Sequence, residues 1–221
     1  MRPVAKGTAP RVYSHWGQAR NDLGTQIGWY CSYCEMGVSN MMEVEHIVPR
    51  NHGGAKLDWE NFLLACKYCN TVKSNNNTSR TGYVWMDTDN TDLTFKYSEI
   101  AIVEPVPNGI TAQASATITL TGLDRGPGRP NPPTEADSRW IFRLQAWSIA
   151  KSSLANWNTK PSTEMAYQIA LTAKGTGFYS IWMTVFDGVT QVQDAIRNEF
   201  PNTYSSADAA GDRIIRTGGI I

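Results

Sequence analysis

Residues 31–73 read CSYCEMGVSNMMEVEHIVPRNHGGAKLDWENFLLACKYCNTVK, and the reading of this stretch decides the fold. It opens on Cys31-Ser32-Tyr33-Cys34 and closes around Cys66-Lys67-Tyr68-Cys69, two C-x-x-C pairs with 31 residues between them. Each pair can present two thiolates from one knuckle, and two knuckles complete a tetrahedral four-sulfur site for Zn²⁺, an ion without redox chemistry of its own. A thioredoxin-like redox pair would need a single C-x-x-C opening a helix after a strand, and the duplication argues against it. Four thiolates leave no open coordination position, so this metal would staple the chain rather than activate water. The chemistry then belongs to what the knuckles bracket: Glu45-His46, Pro49, Gly53-Gly54 and Asn61, followed by Asn70 and Lys73.

That ordered series, C-x-x-C, E-H-I-V-P, G-G, E-N-F-L-L-A-C-x-x-C-N-x-x-K, resembles the HNH endonucleases over roughly residues 29 to 76. No single element is specific; the combination is. The resemblance implies an α+β fold: a ββα-metal nuclease unit stapled by the four-Cys zinc site, followed by short strands and a helical C-terminal region. The flanks, MRPV near the start and a Trp-rich tail, look like the HNH nucleases of Septu-type bacterial anti-phage defence systems, which implies an ATPase partner.

Carried over position by position, the resemblance makes His46 the general base and Glu45 and Asn70 the protein ligands of one catalytic divalent ion. Asn61 becomes the residue that fixes the loop between the strands. The chemistry suits those residue types: a neutral imidazole with an ordinary pKa of about 6.5 can take a proton from water near pH 7. Mg²⁺ or Mn²⁺ accepts one carboxylate and one amide oxygen and keeps other positions for water and phosphate. The family more often has Asp where Glu45 stands, and Glu43, two residues away on the same strand face, reads first as a solvated carboxylate and otherwise as the substitute ligand. Asn70 stands where other members have His, which favours an oxygen-ligated metal. Lys73 falls one helical turn after Asn70 and is the candidate phosphate-binding residue. His15 and His52 take no motif role.

The chain of 221 residues carries 20 Lys+Arg against 20 Asp+Glu, which excludes a uniformly basic nucleic-acid coat. Zero conceals a division. Residues 1–82 hold 9 basic against 6 acidic side chains, and residues 83–221 hold 11 against 14. We therefore read 1–82 as an N-terminal arm plus nuclease domain, and 83–221 as a strand-containing connector with a helical C-terminal region packed on or next to it. Arg2, Lys6, Arg11 and Arg20 in the arm read equally as a phosphate-facing cluster or as a solvated leader. No apolar run suits a secretory signal or a membrane span, so a soluble cytoplasmic protein with free, metal-competent Cys is expected.

After the Asn-rich stretch 75–77, YVWM, LTFKY, EIAIV and TITL read as short strands. A Pro/Gly-rich loop at 126–133 follows, then Thr134 and Asp137 in a near capping box. Trp140, Leu144, Trp147, Leu154 and Trp157 recur at helical spacing and read as the core stripe of one helix. Further helices are expected over about 162 to 174 and 189 to 200, flanking FYSIWMTVF, a buried strand or helix start. The functional expectation is a metal-dependent endonuclease acting on DNA, the effector of a defence complex with an ATPase. Two alternatives stand beside it: a zinc-stapled nucleic-acid or protein binding module without cleavage, and a solitary restriction-like HNH nuclease.

Overall fold

The computed structural model describes residues 1–37, 39–205 and 207–221. Its centre is an antiparallel hairpin of β1 (Met42–His46) and β2 (Phe62–Cys66), in which Glu43 faces Ala65, Glu45 faces Leu63 and His46 faces Phe62. All five residues of β2 are buried, because helices cover it. One of these, α1 (Ala19–Ile27), supplies Ala19, Leu23 and Ile27 at intervals of four and lies against both strands. It stops at Gly28, whose φ of 79° only glycine adopts without strain.

From β2 the chain turns without a loop into α2 (Lys67–Lys73). Cys66 caps this helix, its sulfur accepting from the Cys69 amide at 3.4 Å, so the second zinc knuckle is also the helix start. α2 packs back on both strands and completes a ββα unit. The architecture is α+β, as the resemblance implies.

A second small sheet pairs β3 (Phe95–Tyr97) with β4 (Val103–Pro105), and the helices α3 (Thr111–Thr121), α4 (Arg139–Thr159), α5 (Thr163–Thr176), α6 (Tyr179–Val185) and α7 (Thr190–Glu199) follow. Several expectations for this half are corrected. TITL is not a strand but part of α3, whose Ala114, Thr117, Ile118 and Thr121 turn inward at helical spacing and which ends at a left-handed Gly122. YVWM is a turn whose Val84, Trp85 and Met86 are buried. Of the two readings of FYSIWMTVF the structure has the buried helix, α6.

The tryptophan stripe is only partly the buried face of α4: Trp157 is in the core, and Trp147 and Leu154 pack against it. That face is Arg139, Arg143, Ala146, Ala150 and Trp157; Trp140, Leu144, Trp147 and Leu154 are only half-buried. Small alanines let α4 approach α6 closely; Arg139 is buried with carbonyls, Asp137 and a thiolate as partners, and Arg143 with the Ala101 carbonyl on Nε while its Nη1 has no partner among the described residues. Nor do Thr134 and Asp137 cap the helix: it starts at Arg139, and the Asp137 carboxylate grips the Arg139 guanidinium instead.

The N-terminal cations do not share one environment: Arg2 and Lys6 are buried, Arg20 is half-buried and Arg11 is exposed. Arg2 is buried against the Ile27, Pro201 and Thr203 oxygens. Lys6 donates to the Trp59 and Phe62 carbonyls and pairs with Asp87 at 2.9 Å, Arg11 pairs with Asp22, and Arg20 donates to the Met42 carbonyl. The C-terminal half reaches the first zinc knuckle directly. Glu35 accepts from the Ser180 amide (2.8 Å) and hydroxyl (2.6 Å), and its carbonyl accepts from the Phe178 amide. One buried apolar cluster includes residues from Met1 to Phe200. Among the described residues no helix is long and apolar enough to cross a membrane.

Candidate active site

Cys31, Cys34, Cys66 and Cys69 converge, buried, with their four sulfurs all within 4.8 Å of one another. Zn–S bonds of about 2.3 Å in a tetrahedron separate the sulfurs by roughly 3.8 Å, and Cys34 and Cys66 stand at 3.8 Å. The donor set and its spacing fit a structural zinc ion.

Arg139 completes the surroundings of this cluster, and it comes from α4, far along the chain. Its Nη1 donates to the Cys69 sulfur at 3.2 Å and to the Thr121 carbonyl, its Nη2 to the Gly122 carbonyl and Asp137, and its Nε to Asp137. All five N–H groups are used, and the guanidinium lies over the Tyr68 ring of the second knuckle at 4.6 Å. Sequence reading missed Arg139, since nothing local marks one arginine of a helix as the partner of a distant thiolate.

Beside the zinc cluster, β1 and α2 enclose the candidate site. Glu43 and Glu45 share one face of β1, and Asn70 and Lys73 share one face of α2. Register pairs them off. Asn70 Nδ2 donates to Glu43 Oε2 at 2.7 Å, half-buried, while Lys73 Nζ sits 2.5 Å from Glu45 Oε1 and donates to the His46 carbonyl at 3.0 Å. Tyr33 adds its hydroxyl to Glu45 Oε1 at 3.3 Å. Burial pushes the Glu45 carboxyl above its usual range and the Lys73 amine below its own, each partly offset by the other's charge.

Lys73 is therefore not where a phosphate-binding residue should be. Its amine is buried and committed to Glu45, because the helical turn that follows Asn70 points it under β1 rather than toward solvent.

His46 is fixed by three groups. Phe62 meets its ring edge-on at 5.1 Å, Trp16 at 5.9 Å, and Nε2 lies 3.1 Å from the Lys56 carbonyl. A carbonyl oxygen only accepts, so Nε2 carries the hydrogen and Nδ1 is left with its lone pair. Burial holds the ring below its ordinary pKa of 6.5, and the nearby charges of Arg50 and Lys73 act in the same direction.

Asn61 positions the Lys56 carbonyl. Its Oδ1 accepts from the Val48 amide at 2.8 Å, and its Nδ2 donates to the Val48 and Ala55 carbonyls at 3.0 Å each, which cross-ties the loop between the strands. Gly54 is required in that loop, since a Cβ there would stand 1.9 Å from the Val48 oxygen. The clamp thus reaches His46 through one further residue.

These groups open on a cleft of about 570 Å³, whose walls include Trp16, Glu43, Glu45, His46, Arg50 and Asn70. Arg50, directly after Pro49, carries no sequence signal that separates it from other surface cations. The cleft joins an imidazole with a free nitrogen to a carboxylate and an amide, a set suited to acid–base chemistry next to a hard divalent ion. No curated protein matches the chain. Residues 31–76, which contain both Cys pairs, β1, β2 and α2, match the family model of the HNH endonucleases.

Proposed function

We propose that the protein is a metal-dependent endonuclease that hydrolyses phosphodiester bonds in DNA, with His46 as general base. The observation that carries this reading is the state of His46: its Nε2 lies 3.1 Å from the Lys56 carbonyl, which leaves the lone pair to Nδ1, and the residue lines a cleft shared with Glu43 and Asn70. Water attacking phosphorus loses a proton to Nδ1 as the bond from phosphorus to the departing ester oxygen breaks, that oxygen takes a proton from solvent, and the Lys56 carbonyl stabilises the imidazolium through the Nε2 hydrogen. Burial keeps the imidazole unprotonated, and so ready to act, at neutral pH.

Glu43 and Asn70 are the side chains we assign to the divalent ion. They stand together on the cleft, whereas the carboxylate of Glu45, the expected ligand, is held by Lys73. Mg²⁺ or Mn²⁺ bound there supplies counter-charge for the developing oxyanion. Asn61 acts at a distance, keeping the Lys56 carbonyl aimed at the imidazole.

The test is cleavage of plasmid DNA in Mg²⁺ or Mn²⁺ by the wild type and by His46→Ala. Loss of a general base lowers the rate by roughly 10² to 10⁴; equal rates for the two proteins would remove His46 from the reaction.

The finer setting is also a proposal: a cytoplasmic effector of anti-phage defence that works with an ATPase. It is supported by the likeness of the flanks to Septu-type nucleases, by the slight net positive charge of residues 1–82, and by Ile141, Phe142 and Ile149, exposed apolar side chains on α4. Cleavage measured with and without an ATPase encoded beside it tests this part separately.

A further inference from the structure

Of the chain's arginines, Arg50 alone has neither a hydrogen bond nor an ion pair from its guanidinium among the described residues. The others reach carbonyls, carboxylates or, for Arg139, a thiolate. Arg50 has only a ring contact: its guanidinium lies 4.0 Å from the centroid of Trp16. Trp16 is itself held, 4.0 Å from the His15 ring and 5.9 Å from His46. The charge is thus positioned without being neutralised, and its five donors remain open.

Its location is equally specific. Arg50 lines the cleft that holds His46, Glu43 and Asn70, and also a second concavity with Lys56 and Asn51; Trp16, Arg50 and Asn75 belong to both. Of the other cations here, Lys56 is exposed and lines only the second concavity, and the remaining two are committed. Lys73 is buried under Glu45, and Arg20 donates to the Met42 carbonyl and lies over Trp29.

We propose that Arg50, braced on Trp16, binds a backbone phosphate of the nucleic acid next to the bond presented to His46. This deepens the nuclease reading and rests on it for the word substrate, though not for the phosphate contact itself. A planar guanidinium suits a phosphate because two parallel N–H groups match two of its oxygens. The Trp16 ring pre-orients the fork, so less side-chain freedom is lost on binding than for a lysine in water. Phosphate recognition fixes the strand in the cleft and reads no bases.

The experiment uses the full chain, zinc-loaded, carrying His46→Ala so that nothing is cut, and a labelled 30-base-pair DNA duplex of mixed sequence. Binding is measured over a range of NaCl concentrations. Each phosphate contact contributes about 0.9 to the slope of log K against log [salt] for duplex DNA, so Arg50→Gln should flatten the slope by about that amount and weaken binding alike on unrelated sequences. Arg50→Lys should keep the slope and lose affinity, since charge survives but the fork does not. Arg50 is exposed, so thermal melts should match the parent, and Lys151→Gln on α4 is the charge control. An unchanged slope in Arg50→Gln, a parent that shows no salt-dependent binding, or an equal effect of Lys151→Gln would each overturn the proposal. Cleavage by otherwise wild-type protein is scored apart. A flattened slope without cleavage retains the phosphate contact and removes the nuclease reading; cleavage with an unchanged slope does the reverse.

Discussion

Lys73 and Glu45 form a buried ion pair, Nζ to Oε1 at 2.5 Å, with side chains 0% and 4% exposed, and the same amine donates to the His46 carbonyl. It ties α2 to β1 beneath the candidate base. The shifts of both groups run toward their neutral forms, with burial the leading cause, so desolvation outweighs mutual attraction. Such a pair adds little net stability, but losing one partner strands the other. Lys73→Met should lower unfolding free energy by about 3–5 kcal/mol, and the Glu45→Gln, Lys73→Met double variant should recover much of that loss. Urea titration of the single and double variants measures it; additive effects would contradict the coupling.

The pH profile of cleavage should reflect the depressed pKa of His46. Burial disfavours the imidazolium, and a divalent cation on the cleft would move the ring the same way. The base is therefore unprotonated throughout the region above 6.5, and the acid limb of kcat/KM should have its midpoint below that value. The sign for stability follows: a His whose folded pKa is lowered contributes most above the unfolded pKa, and the contribution disappears as pH falls through the folded one. In His46→Gln that part of the acid destabilisation should be missing from melts recorded between neutrality and the acid limb.

Zinc removal should disrupt the ββα unit, because two of its ligands are the end of β2 and the first turn of α2. Structural zinc contributes roughly 10–16 kcal/mol of binding free energy at pH 7, comparable to or above the stability of a typical domain. Chelation should abolish the cooperative melt of this region. Arg139→Met tests the contact from α4: the Cys69 sulfur loses a donor and Asp137 is left without its partner. Losing an outer partner of a metal ligand typically lowers affinity about 10- to 100-fold, which competition with a chromophoric chelator would register. Unaltered zinc release would limit Arg139 to holding α4 in place.

The four-Cys cluster was legible because thiolate ligands announce themselves by type and local spacing, and the hairpin between the knuckles and the helix that starts at the second were implied by the resemblance of the same stretch. What escaped was set by contacts distant in sequence. Arg139 and Arg143 lie on the buried face of α4, where carbonyls of α3 and its neighbours accept from them, and hydropathy periodicity marked only Trp157 of that face. TITL has the alternation of a strand, yet packing against α2 and a left-handed Gly122 make it helical. Within the site, spacing puts Glu43 with Glu45 and Asn70 with Lys73, but not which carboxylate meets which partner. Only the register of β1 against α2 distinguishes them.

That register yields the sharpest prediction about the divalent ion. Glu43 faces Asn70 on the open cleft, so Glu43→Gln removes the carboxylate beside the amide, which among the described residues has no ion pair. Activation by Mn²⁺ should shift to higher concentration by an order of magnitude or more, in keeping with the loss of a charged ligand from a hard-ion site, while the thermal melt of the metal-free protein changes little. Glu45→Gln should behave in the opposite way: it leaves Lys73 buried without its counter-charge, so the melt falls, and Mn²⁺ affinity of the protein that remains folded stays near that of the wild type. Paramagnetic broadening by Mn²⁺, read on a catalytically silent His46→Ala background, reports binding independently of cutting. If Mn²⁺ binding is lost in Glu45→Gln and kept in Glu43→Gln, Lys73 must release Glu45 when the ion arrives, and the pair becomes the ion's competitor rather than a fixed tie.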